Sequence, residues 1–172
     1  MFIRYWFVWF WGIFATFPCF SQIGNSVDSV LLYDEFGKPV RLPSIGEKKL
    51  LLFYFDPDHP GQNRRLVDYL MGENMDSADM SCYAIVNLND APLLSKVLLE
   101  EVVYGEVGRL GIKIYYDPAN VLSTNWKLGD INNKFVVIIV NKEKFIEFYY
   151  TGELDEASFD GLIRLTGIYK KE

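Results

Sequence analysis

A six-residue apolar run, Leu50-Leu51-Leu52-Phe53-Tyr54-Phe55, constrains the fold more than any other stretch of this chain. It is too short for a buried helix and rich in aromatics, so it reads as a strand covered on both faces. Asp56-Pro57 closes the run, and Asp58, His59, Pro60, Gly61 and Gln62 turn the chain. Beyond the turn the spacing predicts a helix over roughly 60–72, with Leu66, Val67 and Leu70 on one side and Arg64, Arg65 and Asp68 on the other. A strand buried on both faces needs a layer above and a layer below.

The rest of the chain supplies those layers. Upstream, 30–33 and 39–42 are short extended pieces joined by Asp34-Glu35-Phe36-Gly37-Lys38, a glycine beside acidic turn residues and so a hairpin signal. Downstream, 81–88 reads as the second core strand. Asp90 and Pro92 then make a good helix start, and Leu93, Leu94, Val97, Leu98, Val102 and Val103 form its apolar face. Residues 112–117 read as a third strand and 118–126 as a short helical turn. Lys134–Asn141 is the most apolar strand after the first, and Asn141–Lys144 turns it back into 145–150 as an antiparallel hairpin. The closing helix carries Phe159, Leu162, Ile163 and Leu165 on its apolar side. Strand–helix units followed by a hairpin and a terminal helix predict one α/β domain, a three-layer sandwich with a mixed central sheet flanked by helices and an N-terminal β-hairpin.

Half of the 172 residues are hydrophobic and 16% are aromatic, which excludes a disordered chain. Part of that content sits in residues 1–21: Arg4 supplies a charged start, Tyr5–Phe17 an apolar core, and Cys19-Phe20-Ser21 small residues at −3 and −1. The stretch reads as a signal peptide cleaved before Gln22, leaving a domain of 22–172; an uncleaved membrane anchor is the alternative. Thr16-Phe17-Pro18-Cys19 is a poor lipobox. Removal of Arg4, the one charge in that stretch, takes the net charge from −6 to −7. An acidic chain without a basic cluster is no nucleic-acid binder, and membrane contact is expected only through residues 1–21 if they are retained. Cleavage also leaves Cys82 as the single thiol, so neither an internal disulfide nor a dithiol cycle is expected.

The order of elements from about residue 30 to 168 resembles the thioredoxin-like superfamily, whose Cys-x-x-Cys stands where a buried strand turns into a helix N-terminus. Asp56-Pro57-Asp58 resembles the Asp-Pro-Asp that precedes this motif in many exported bacterial members, and the two cysteine positions then fall on His59 and Gln62. Asp34-Glu35-Phe36-Gly37-Lys38-Pro39-Val40-Arg41-Leu42 is similar to the opening hairpin of such chains. The segments 85–91, 116–122, 126–128 and 152–159 look like the exported bacterial YtfJ-like family, whose members are periplasmic proteins without established chemistry. The cis-proline that active thioredoxins carry before the strand at Lys134–Asn141 has no counterpart in residues 129–135. The resemblance therefore implies an exported thioredoxin-fold protein without the redox dithiol, acting as a binding protein. Its groove would be lined by Asp56, Asp58, His59, Gln62, Asn132 and Asn133, and its partner would be another exported protein or a peptide segment.

Several residues invite chemistry on their own. His59, the only histidine, is either a proton-transfer group or a surface turn residue with Asp58 capping the helix. Asp56, Asp58 and Asn63 are the donors near it, and no second His or Cys stands at ligand spacing, so no metal site is expected. Cys82 is either a one-cysteine redox nucleophile, the alternative function for this chain, or a small buried hydrophobe in a strand. Nothing in the spacing of Asp56, Asp58, Asp117 and Glu153 brings any two together as an acid–base pair. No phosphate-cradling loop or nucleophile-elbow motif occurs, and Gly105, Gly108 and Gly111 follow no strand, so no cofactor is expected. Phe145, Tyr149, Tyr150 and Trp126 read as sheet-packing aromatics, any exposed one marking a partner surface.

Overall fold

A computed structural model describes residues 22–59, 61–89, 101, 103, 105 and 107–170. The N-terminal stretch 1–21 and most of the helix expected over 90–103 lie outside these. The described residues form seven strands: β1 (Leu31–Tyr33), β2 (Pro39–Arg41), β3 (Lys49–Phe55), β4 (Met80–Asn87), β5 (Lys113–Asp117), β6 (Val136–Val140) and β7 (Ile146–Thr151). Three α-helices join them, α1 (Arg64–Leu70), α2 (Val121–Trp126) and α3 (Glu156–Thr166). The strands make one sheet in the order β2-β1-β5-β4-β3-β6-β7. β3, β4 and β5 run parallel, while β6, β7 and the β1–β2 hairpin run antiparallel to their neighbours.

The apolar run of β3 lies at the middle of this sheet, paired with β4 on one side and β6 on the other. Side chains alternate across a strand, so Leu51, Phe53 and Phe55 enter one core and Leu50, Leu52 and Tyr54 the other. The first core is closed by Leu66, Val67 and Leu70 of α1 and by Phe159, Leu162 and Ile163 of α3. The second is closed by Leu122 and Trp126 of α2 with Val27, Val30 and Leu42 from the N-terminal segments. Two cores with a sheet between them are the three-layer sandwich that the sequence predicts. Each fully buried leucine contributes about 1.5–3 kcal/mol relative to an exposed one, which is why β3 anchors the fold.

The local turns follow from their residues. Asp34 Oδ1 accepts from the amides of Phe36 (3.0 Å) and Lys38 (2.8 Å), closing the β1–β2 hairpin. Asn141 Oδ1 does the same for the amide of Phe145 (2.8 Å) between β6 and β7. Asp117 is fully buried, and its carboxylate accepts from the amides of Val121 (2.8 Å) and Leu122 (2.9 Å), fixing the first turn of α2. Asp117 is thus a capping residue and no member of a carboxylate pair.

Two expectations are corrected. Leu165 is 41% exposed, because at about 100° per residue it falls roughly 120° around the helix from Phe159 and off the buried stripe. Helix α1 begins at Arg64 and not near residue 60, because Gly61 (φ 85°) and Asn63 (φ 57°) both hold left-handed backbone. Its N-cap is Asn63; Asp58 lies outside the helix, exposed, and does not cap it.

Asp117→Ala strips the first turn of α2 of its buried acceptor. It is expected to cost about 2 kcal/mol, read as a lower urea midpoint at unchanged slope.

Candidate functional site

Sheet register decides what meets at one end of β3. Tyr54 is opposite Val136, the first residue of β6, and Val136 is opposite Thr151, the last residue of β7. The turn after β3, the loop before β6 and the turn after β7 therefore converge. Asp56, 2% exposed, begins the turn. Its Oδ1 accepts from the amide of Asp58 (3.0 Å) and its Oδ2 from the amide of Asn133 (3.2 Å). The amide of His59 donates to the carbonyl of Asp56 (3.1 Å), which leaves the Asp58 and His59 side chains exposed at the tip.

Gln62 and Asn63 then do the same thing twice. The Gln62 carboxamide donates from Nε2 to the carbonyl of Asn133 (2.9 Å) and accepts at Oε1 from the amide of Phe135 (2.8 Å). The Asn63 carboxamide donates to the carbonyl of Gly152 and accepts from the amide of Leu154 (2.8 Å). Each spans a carbonyl and the amide two residues later, the pattern by which one residue of a parallel strand engages its neighbour. The carbonyl of Phe135 accepts from the amide of Gly152 (2.7 Å), so the two clamps close into one network.

The structure thus brings together Asp56, Gln62 and Asn133, with Asn132 exposed beside them. Asn63, weighed in the sequence only as a metal donor, proves to be the most buried side-chain amide of the group at 2% exposure. The signal for it was two consecutive amide side chains ahead of a helix. Among the described residues, no group of three or more His, Cys, Asp or Glu is arranged to hold a metal ion.

Cys82 lies elsewhere, in the middle of β4 with no exposed surface. Its amide donates to Asp76 Oδ1 (2.9 Å) and its Sγ lies 3.9 Å from Met75 Sδ. Burial pushes the thiol well above its ordinary value, and the Asp76 carboxylate raises it further. Of the four aromatics singled out, Trp126 is buried, donating from Nε1 to the carbonyl of Asp28 (2.8 Å), and Tyr149 and Tyr150 are half-buried. Phe145 is exposed. No described helix is long and apolar enough to cross a membrane.

No family model and no curated protein matches the sequence. Solved structures do match. A thioredoxin candidate from Neisseria meningitidis superposes with a TM-score of 0.59 at 16% identity, over 84% of this chain and 91% of that one. StoA from Bacillus subtilis gives 0.57 at 14% identity, over 83% and 98%. The pneumococcal exposed lipoprotein thioredoxin from Streptococcus pneumoniae gives 0.57 at 15% identity, over 81% and 98%. At such identities the likeness is one of fold. The chain has a thioredoxin-like fold, and its activity has to be argued from the site.

The two clamps differ in burial, and their substitutions should separate accordingly. Asn63→Ala leaves the part-buried carbonyl of Gly152 and the buried amide of Leu154 unpaired and is expected to cost about 3 kcal/mol. Gln62→Ala removes an exposed bond to Asn133 and a part-buried one to Phe135 and is expected to cost less, about 1 kcal/mol. Urea unfolding of the two variants side by side checks the order.

Proposed function

We propose that this is an exported thioredoxin-fold protein of the YtfJ-like kind that works by binding and not by dithiol exchange. The single observation that carries the reading is the placement of sulfur. The turn after β3 holds His59 and Gln62, and Cys82, the one thiol among the described residues, is sealed in a strand. A thiolate nucleophile needs exposure and a lowered pKa, and Cys82 has neither. In this reading the polar strand end is the binding groove, with Asp56, Gln62, Asn132 and Asn133 along it and Asp58 and His59 at its rim. In this reading the groove receives another exported protein or an extended peptide segment, and the acidic charge keeps nucleic acid away. Residues 1–21 supply export, and a mature chain recovered from a periplasmic extract should begin at Gln22 on N-terminal sequencing.

The deciding test is thiol labelling of the native and the denatured protein, together with insulin reduction and peroxide consumption. Labelling of Cys82 only after unfolding, with both assays at background, is the expected result. Fast native labelling and a turnover abolished by Cys82→Ser would replace the binding reading with a one-cysteine redox protein.

The same burial predicts an alkaline limit. The folded-state pKa of Cys82 lies above its ordinary 9.0, so its contribution to stability is complete below pH 9.0 and is lost as pH rises through the folded value. Tyr149, whose hydroxyl donates to the carbonyl of Leu128 (2.6 Å), is pushed up to about 12, mainly by burial, and acts in the same direction from its ordinary 10.0 upward. The urea midpoint should fall from about pH 9 upward, and Cys82→Ala should flatten the first part of that fall.

A further inference from the structure

We propose that the outer edge of β7 is a docking surface for a second copy of this chain, the two β7 strands pairing antiparallel about a two-fold axis into one continuous sheet. The inference does not depend on the groove reading. Backbone bonds fix which groups of β7 face outward. The amide of Asn141 donates to the carbonyl of Phe145 (2.9 Å), and the amide of Gly152 donates to the carbonyl of Phe135 (2.7 Å). Between these bonds Phe148 and Tyr150 stand opposite Ile139 and Val137 and turn their main-chain groups to β6. Alternation along the strand then points the amides and carbonyls of Tyr149 and Thr151 away from the sheet. Ile146 shows that this edge accepts an antiparallel segment. Its amide donates to the carbonyl of Asn25 (3.0 Å), its carbonyl accepts from the amide of Gly24 (2.8 Å), and Ser26 bridges to Phe145 beside them. Past Ile146, among the described residues, no strand lies on this side of β7.

The two edges of the sheet differ in how they are protected. β2, at the far edge, is three residues long, carries Pro39 and ends on Arg41, all features that blunt an edge. β7 is six residues long, and its open part, Phe148-Tyr149-Tyr150-Thr151, holds neither proline nor charge. A head-to-tail contact of β7 with β2 of another copy would meet the proline and would not close, whereas β7 on β7 is self-complementary and closed. With Tyr149 opposite Thr151 of the second copy, every outward amide and carbonyl of these two residues is paired, and Tyr150 falls beside its own counterpart as an aromatic cross-strand pair. Charge selects the direction. Lys142 and Lys144 precede β7, and Glu153, Asp155 and Glu156 follow it, all exposed. Lys142, Lys144 and Glu156 also have partners in their own chain, Asp79, Asp28 and Arg65. Antiparallel pairing brings the basic start of one strand toward the acidic end of the other, and parallel pairing would set like charges together. So short a contact makes a weak, reversible dimer.

The test is sedimentation velocity and amide hydrogen exchange on the protein recovered from a periplasmic extract, at concentrations from about 10 μM to about 1 mM. A monomer–dimer equilibrium with a Kd on the order of 100 μM is expected, together with exchange at the Tyr149 and Thr151 amides that slows as concentration rises. Thr151→Pro removes an outward N–H and no bond to β6. It is expected to weaken the dimer at least about tenfold at an unchanged urea midpoint, while Thr151→Val, which keeps the N–H, dimerises as before. A protein that stays monomeric at about 1 mM overturns the proposal. So does a dimer of equal affinity in folded Thr151→Pro, or an assembly that grows past the dimer. Should Thr151→Pro fail to fold, exchange in the unsubstituted protein decides: Tyr149 and Thr151 amides that exchange at the same rate at every concentration overturn the edge as the contact.

Discussion

Gln62 and Asn63 carry hydrogen bonding past the point where the sheet itself stops. β6 is paired on both sides as far as Val136, and the chain before it would otherwise enter the convergence of three loops with its amides and carbonyls unmatched. Buried polar groups without partners cost more than ordinary hydrogen bonds return, so something has to meet them. Two adjacent side-chain amides do so, one toward residues 133 and 135 and the next toward residues 152 and 154. Their adjacency in sequence forces the two loops side by side, and the Phe135–Gly152 bond completes the link. The start of α1, and hence the way its apolar face lies on Phe53 and Phe55, is set from this junction.

The left-handed backbone at Asn63 belongs to the same constraint. A regular helix begun at residue 60 would rotate the side chains of 62 and 63 about 100° apart, and the two could not both reach loops at the sheet end. The turn through Gly61 and Asn63 delays the helix to Arg64 and leaves both amides pointing to their loops. Asparagine tolerates this backbone better than other residues with a Cβ, and it supplies the carboxamide as well. Conformation and hydrogen bonding thus ask for the same residue at position 63.

The sheet and its two cores were legible because alternation and uninterrupted apolar runs are properties of neighbours in sequence. Leu50–Phe55, 81–88 and Lys134–Asn141 each declared a strand, and α/β order followed from their spacing. The candidate groove was legible only as a neighbourhood. Its bonds join residues 71 and 73 positions apart, and these are set by the register of β3 on β6, which no local pattern encodes. The helix start is hidden for the same reason: Asp58 is the better cap on local chemistry, yet tertiary bonds to 152 and 154 give the place to Asn63. Leu165 is apolar and near the end of an amphipathic helix, yet the helical angle puts it outside the buried stripe.

Cys82 shows how far position in the sheet governs chemistry in this fold. It shares a face of β4 with Met80, Ala84 and Val86, and that face is covered by α1 and α3. Nothing about its own side chain distinguishes it from a redox cysteine; its place mid-strand does, by removing both water and positive charge. At the end of β3 the sheet runs out, and polar residues take over, Asp56 and Asn63 buried and Asp58, His59, Asn132 and Asn133 in water. Here the loop backbone is held by two side-chain amides of unequal burial, Asn63 and Gln62. The deep one fixes the architecture. The shallow one, Gln62, ties the loop before β6 to the start of α1 at the surface.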